Sequence, residues 1–332
     1  MKKAIALAAL ASALAVSVPA EARTLKLGTA APEKTPWGQF YIKFGQKVAE
    51  YSGGKLTIKN FFSAALGDEQ EVIRQTARGR IDMAGASTTA ASLIVPEFAL
   101  VGAPYLFDTL AESDCAFDKH MIPLFGPMFE ARGLVPVAWS EVGNQIFFTK
   151  EAIKAPGDIK GQKIRSAPTK TDTLYVASTG ATAVPLGVAD TMPALKTGGV
   201  SGATWPTVYG IAVGYHKVAP YITATNHVHQ VGVTFVSKKV WDSLSADERK
   251  AIQRASDEVF PALRKAIRGA ESAFMKKAAD QGATIYTPTA AEMKQWQSTA
   301  PAVIQQVIQD TGGKAKDVFA KMQAARAACK AN

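Results

Sequence analysis

Residues 24–84 read TLKLGTAAPEKTPWGQFYIKFGQKVAEYSGGKLTIKNFFSAALGDEQEVIRQTARGRIDMA. Thr24 to Thr29 alternate like a half-buried strand. Pro36 then opens a helix in which Trp37, Phe40, Tyr41, Phe44, Val48 and Tyr51 share one face, and Gly53-Gly54 ends it. Lys55 to Phe61 alternate again, with Leu56 and Ile58 on one side and Lys55, Thr57 and Lys59 on the other. Asp68 caps the next helix with Glu71 as its reciprocal partner, and that helix ends near Gly79. Ile81 to Ala84 reads as a short buried strand. The order strand, helix, strand, helix, strand predicts an α/β fold whose sheet is covered by helices on both faces.

The same logic resumes after Gly133. Leu134 to Trp139, Gln145 to Thr149 and Gln162 to Ser166 are strand candidates. Thr169 to Thr179 suits a helix closed at Gly180. Val184-Pro185-Leu186 is strand or loop. Ala189 to Lys196 is a short helix despite Pro193, stopped by Gly198-Gly199. Val231 to Ser237 is a later strand, placed so that the chain returns to its first domain. Beyond it the sequence is helical. Ser245 and Glu248 form a capping box before a pattern that runs to about Gly282, with a kink or break expected at Pro261. Thr289 and Glu292 form another box, opening a helix over Met293 to Ile308. A last helix covers Ala315 to Cys329.

The N-terminus has the three parts of a secretion signal. Lys2 and Lys3 are its charged start, Ala4 to Val18 its small-apolar run, and Ala20-Glu21-Ala22 its small-x-small cleavage site. Arg23 would then be the first mature residue; Val18-Pro19-Ala20 offers a second site. The run is too short to span a bilayer comfortably, which takes about 20 apolar residues. The chain has 332 residues, enough for two domains. Its composition is globular, at 47% hydrophobic and 20% charged. The net charge of +10 favours anionic partners. The lysines and arginines are scattered and no basic run interleaves with aromatics, so nucleic acid is not expected. Cys115 and Cys329 are the only cysteines. They would pair in an oxidising compartment or remain two thiols, and spacing does not decide.

No reaction chemistry is legible. Gly198-Gly199-Val200-Ser201-Gly202 lacks both the Walker lysine pair and GxGxxG spacing, and reads as a turn. His227 and His229 would share a strand face, but one pair is too few for a closed zinc site, and no metal or cofactor is expected. There is no GxSxG elbow. Glu69 and Glu71 lie at a capped helix start, where carboxylates serve the helix dipole. Arg165 stands apart. It closes Gly161-Gln162-Lys163-Ile164-Arg165 after the polar turn Ala155-Pro156-Gly157-Asp158. A guanidinium at a strand end offers a planar fork of donors that matches a carboxylate. Trp205, in Ser201-Gly202-Ala203-Thr204-Trp205-Pro206, is the tryptophan best placed to wall a pocket.

Taken in order, several segments resemble the substrate-binding proteins of tripartite ATP-independent periplasmic (TRAP) transporters, the DctP-like family. They are Phe61 to Asp82, Ala103-Pro104-Tyr105-Leu106-Phe107, and Asp158-Ile159-Lys160-Gly161-Gln162-Lys163-Ile164-Arg165, which is similar to the family's D-L-K-G-x-K-[IL]-R. Ala194-Leu195-Lys196-Thr197-Gly198 follows, then Thr225-Asn226-His227 and Trp241-Asp242-Ser243-Leu244. Each piece is weak alone; their joint order covers nearly the whole mature chain. The resemblance implies a two-domain periplasmic binding protein fold of the α/β class, with a central ligand cleft and a long bracing helix. The expected division is a signal peptide over 1–22, domain I over 23–141 plus 230–268, domain II over 142–229 plus 269–300, and C-terminal helices over 301–332.

The resemblance also implies a role. The protein would capture a small organic acid in the periplasm, perform no chemistry on it, and present it as a monomer to the small and large membrane subunits of a transporter. A ligand sensor for a signalling receptor and an exported enzyme are the alternatives. Arg165 occupies the position of the family's carboxylate-gripping arginine. Sialic-acid binders carry a second arginine where this chain has Gln145, with Asn144 beside it, and an acidic side chain where it has Ser87. The family's D-G-Q-E-N-P is replaced by Ser201-Gly202-Ala203-Thr204-Trp205-Pro206. These departures predict a less charged, more aromatic pocket, taking a small mono- or dicarboxylate with an apolar part against Trp205. The candidate ligand-binding residues are therefore Arg165, Gln145, Asn144, Trp205, Ser87, Thr88, Glu69 and Trp37.

Overall fold

The computed structural model describes residues 22–330. The expected signal segment thus lies outside the described residues except for its last position, Ala22. Among the described residues nine strands form one sheet: β1 (Arg23–Thr29), β2 (Leu56–Phe61), β3 (Met83–Ser87), β4 (Leu134–Thr149), β5 (Lys163–Ser166), β6 (Thr182–Pro185), β7 (Gly202–Pro206), β8 (Tyr221–Ser237) and β9 (Thr284–Tyr286). Their order is β2-β1-β3-β8-β4-β7-β5-β6, with β9 alongside β8.

At the N-terminal end β1 pairs in parallel with both β2 and β3. The crossovers are the helices Pro36–Tyr51 and Glu69–Ala77, as the 24–84 pattern predicts. Thr35 caps the first through its hydroxyl, with Pro36 inside the opening turn. Its apolar stripe of Trp37, Tyr41, Phe44 and Val48 is buried, and Phe44 meets Phe260 with ring centroids 5.4 Å apart. Burying each such side chain contributes about 1.5–3 kcal/mol. One position here must be glycine: a Cβ on Gly85 would fall 2.0 Å from the Tyr41 hydroxyl. At the other end β5 pairs in parallel with β6 and β7, and the helix Lys170–Ser178 follows β5.

The two halves are joined by β4 and β8, of 16 and 17 residues. They run antiparallel from Leu134↔Ser237 to Thr149↔Tyr221, with register shifts at Pro136/Ala138, Glu141/Gly143 and Gln145/Phe147. The sequence reads Leu134 to Trp139 and Gln145 to Thr149 as separate strands, because Ser140, Glu141 and Asn144 break the apolar pattern. In the structure those residues belong to one continuous strand. Gly143, at φ 110°, sits where its register slips. The expected domain boundaries at 141/142 and 229/230 fall inside these two connecting strands.

The helix Ala246–Asp280 crosses both halves without interruption. The break expected at Pro261 does not occur. A proline costs the helix one hydrogen bond, but Val259, Phe260, Leu263 and Ile267 are buried on both sides of it and keep the helix continuous. The C-terminal helix Ala315–Lys330 docks on Leu110–Ala116. It is fixed there by a Cys115–Cys329 disulfide with Cα atoms 5.7 Å apart and by Arg326 against Glu112 at 2.8 Å.

Candidate ligand-binding cleft

Arg165 lies one residue from the end of β5, paired with Ala203 of β7 and Val184 of β6. Its Nε donates to the Leu186 carbonyl at 3.0 Å and its Nη1 to the Thr204 carbonyl at 2.9 Å. The guanidinium lies flat on Trp205, 3.7 Å from the ring centroid. Trp205 is braced edge-on by Tyr215 at 5.0 Å. Arg165 is only 4% exposed, yet among the described residues no carboxylate lies within ion-pair distance of it. Burial pulls its pKa down to about 10, and Asp172 opposes that through its charge. It therefore stays cationic at neutral pH. Two of its five N–H groups are used by carbonyls; the rest of the fork is turned to a cleft with about 760 Å³ of empty space.

The facing wall comes from the N-terminal half. Glu69 accepts from the Ser87 amide at 2.7 Å and from the Ser87 hydroxyl at 2.6 Å. Burial pushes the Glu69 carboxyl above its ordinary range, and those two hydrogen bonds pull the other way. Trp37 donates its Nε1–H to the Glu141 carbonyl at 2.8 Å, which ties the wall to the middle of β4. Tyr41, its pKa raised to about 12 chiefly by burial, sits 3.3 Å from Thr234 Oγ1. Gln145 of β4 and Gln230 of β8 also line the cleft.

Of the residues singled out from the sequence, Arg165, Gln145, Trp205, Ser87, Glu69 and Trp37 line this one cleft. Three expectations need correction. Asn144 faces a different depression, shared with His229 and Asn226, and its amide approaches Glu271 at 3.5 Å. Neighbours on a strand point to opposite faces, and of the two only Gln145 lines the cleft. Thr88 is not on the main wall; its hydroxyl donates to the Val231 carbonyl at 2.9 Å beside a smaller recess. Trp205 gives one face to the Arg165 guanidinium, so that face is not open to an apolar ligand part. His227 and His229 also part company. His227 is stacked on Tyr175 at 4.6 Å and bonded to Thr225, with burial driving its pKa down to about 3. His229 bonds Ser113 at 2.9 Å and lies 3.2 Å from Glu141. Among the described residues no group of three His, Cys, Asp or Glu side chains is arranged to hold a metal.

The sequence reading missed Tyr41, Tyr209, Gln230 and Asp172. Tyr41 lies on a helix face that reads as core, and the stretch that holds Tyr209 has no reading of its own in the sequence. Gln230 gave a usable signal, a lone amide before the apolar run Val231 to Ser237. Asp172 is masked by its place in the first turn of a helix, where an acid is ordinary.

The family model for bacterial extracellular solute-binding protein, family 7 (DctP), matches residues 27–310. The chain is 23% identical over 310 residues to the C4-dicarboxylate-binding periplasmic protein DctP of Rhodobacter capsulatus, covering 92% of this chain and 93% of the relative. It is 25% identical over 286 residues to a solute-binding protein of Chromohalobacter salexigens, covering 85% and 84%. A TRAP periplasmic solute-binding protein from Bradyrhizobium, solved in complex with galacturonate, superimposes with a TM-score of 0.85 at 26% identity, over 92% of this chain and 99% of that one.

Proposed function

We propose, from the premise that this chain belongs to family 7 of the bacterial extracellular solute-binding proteins, the DctP family, that its cleft captures a small organic carboxylate for a TRAP transporter. The observation that carries this reading is a buried guanidinium with no ion-paired carboxylate among the described residues. An isolated buried charge is costly, and natural proteins pair it. Here Leu186 and Thr204 orient the fork with neutral carbonyls and Trp205 flattens it. The remaining donors suit the two oxygens of an incoming carboxylate. The relatives named for C4-dicarboxylates and solved with galacturonate support the same class of ligand.

Binding then needs the two halves to meet around the acid. Arg165 and Trp205 come from one side, Glu69, Ser87 and Trp37 from the other, and Gln145 and Gln230 from the strands between them. Closure about β4 and β8, acting as the hinge, would exclude water and so strengthen the ion pair. The closed form would dock as a monomer on the small and large membrane subunits, with no reaction performed. Residues 1–22 would direct export to the periplasm and be removed. A Kd near 1 μM requires about −8 kcal/mol, within reach of one charge-assisted fork and partial burial of the ligand. Isothermal calorimetry with galacturonate, succinate and malate tests the reading. At least one acid binds the wild type and none binds Arg165→Ala, whose circular dichroism is unchanged. Equal affinity in the two proteins would refute it.

A further inference from the structure

We infer that the captured acid carries at least one hydroxyl group, and that Asp172 and Gln145 are the acceptors for such hydroxyls in an annexe behind the cleft. The inference rests on the carboxylate reading of Arg165. The annexe is small and shares Thr89, Gln145 and Gln230 with the cleft. Its other polar lining includes Thr88, Thr171 and Asp172. Most of these groups are already satisfied. The Thr88 hydroxyl donates to Val231 O and the Thr171 hydroxyl to Ala99 O, each at 2.9 Å. The Gln230 amide donates to Thr89 Oγ1 at 3.3 Å. Asp172 Oδ2 accepts from the Ala167 amide and from the Thr204 hydroxyl.

Two acceptors remain. Asp172 Oδ1 and Gln145 Oε1 are buried with no hydrogen-bond partner, on residues only 6% and 5% exposed. Buried acceptors left unmet cost free energy, and native proteins rarely leave them so. Two of them on one small polar recess call for a donor. An ammonium would set a second cation beside Arg165, which already lies in the field of Asp172. An oxo group would face two acceptors with nothing to donate. A neutral hydroxyl meets both conditions. The carboxylate grip and the hydroxyl acceptor are also built as one unit. Thr204 receives Arg165 Nη1 on its carbonyl and donates its hydroxyl to Asp172, so one residue sets the distance between them.

The test compares matched acids on the full mature chain by calorimetry: lactate with pyruvate and propionate, 2-hydroxyglutarate with 2-oxoglutarate and glutarate, gluconate with 5-ketogluconate. In the wild type the hydroxy member of at least one set binds tenfold or more tighter than its oxo and deoxy partners. In Asp172→Asn, whose amide NH₂ can serve an oxo group, the hydroxy-to-oxo ratio falls at least fivefold. In Gln145→Met the hydroxy acid weakens and its oxo partner does not. Should Asp172→Asn fail to fold, the wild-type ratios and Gln145→Met decide. Oxo or deoxy acids binding as tightly as hydroxy acids, with binding still lost in Arg165→Ala, overturns the hydroxyl inference alone. A wild type that binds none of these acids overturns it together with the carboxylate reading.

Discussion

Arg165 and Arg268 hold their charge in opposite ways. Arg268, on the long helix, is saturated by protein carboxylates. Its Nη1 and Nη2 form a fork with Asp114 at 2.8 and 2.7 Å, and its Nε reaches Glu141 at 2.5 Å. Those partners, the Asp114 hydrogen bonds first, drive its pKa upward. Arg165 is held by two carbonyls and a ring, and its pKa moves down. One guanidinium has been used up by the fold. The other is oriented but, among the described residues, makes no ion pair, which is what the proposed carboxylate would supply. On the proposed function, this difference is what separates a structural arginine from a recognition arginine.

The contrast breaks most readily at Arg165. Replacement by alanine removes one side of a buried charge pair formed only with ligand, and should weaken acid binding a hundredfold or more, about 3 kcal/mol. Arg165→Lys should not rescue it, because an ammonium cannot reproduce the planar fork. Calorimetry reads both, and a loss under tenfold in Arg165→Ala would erase the distinction. Arg268→Ala is the converse. It strands Glu141, which is 2% exposed, and should lower unfolding stability by about 3 kcal/mol. Acid affinity should change less than threefold. Urea denaturation with titration of the folded variant separates the two effects. A variant of normal stability that no longer binds would invert the assignment.

Much of the frame around these two arginines is legible in the order of residues alone. The helix stripes, the capping boxes at Ser245 and Thr289 and the alternation of β1 and β2 are local signals, set by neighbours three or four residues away. Arg165 is legible because it stands near the end of a short strand after a turn. What the sequence hides is long-range. Whether Arg165 faces a carboxylate depends on Leu186, Thr204 and Trp205, up to 40 positions on. Asn144 and Gln145 look interchangeable in the sequence, and only strand alternation through an irregular register separates them. Ser140, Glu141 and Asn144 fall between two strand candidates in the sequence, yet they are the middle of β4, where Glu141 meets Arg268. The pairing of Cys115 with Cys329 is left open by spacing across 214 positions and is settled by docking of the last helix.

His227 sharpens the comparison from the side of a base that can release its proton. Like Arg165 it is buried, but burial leaves it neutral, with a pKa of about 3. The unfolded chain regains a pKa near 6.5. Between these values the unfolded state binds one more proton than the native state, so stability rises with pH across that window and falls on acidification. From pH 7 to 5 this histidine should cost about 2 kcal/mol. His227→Phe, among Tyr175 and Phe147, should show a correspondingly shallower loss. Parallel pH profiles of thermal midpoint for the two proteins would remove burial as the cause.

The smallest expected effect isolates what orients Arg165. The Leu186 and Thr204 carbonyls fix two N–H directions, but two hydrogen bonds to one fork still allow the guanidinium plane to tilt. The Trp205 ring at 3.7 Å sets that plane and adds a cation–π attraction, worth about 0.5–2 kcal/mol. Trp205→Leu should therefore weaken acid binding about tenfold without abolishing it, whereas Trp205→Phe, which keeps an aromatic face, should lose much less. If instead the ring served as a seat for the ligand's apolar part, both variants would discriminate among acids by the size of that part, and would leave affinity for the smallest acids untouched. A uniform loss across acids of every size places the effect in the arginine. A loss that grows with the ligand's apolar surface places it in the ligand, and Arg165 would then differ from Arg268 only in lacking a carboxylate, not in being aimed.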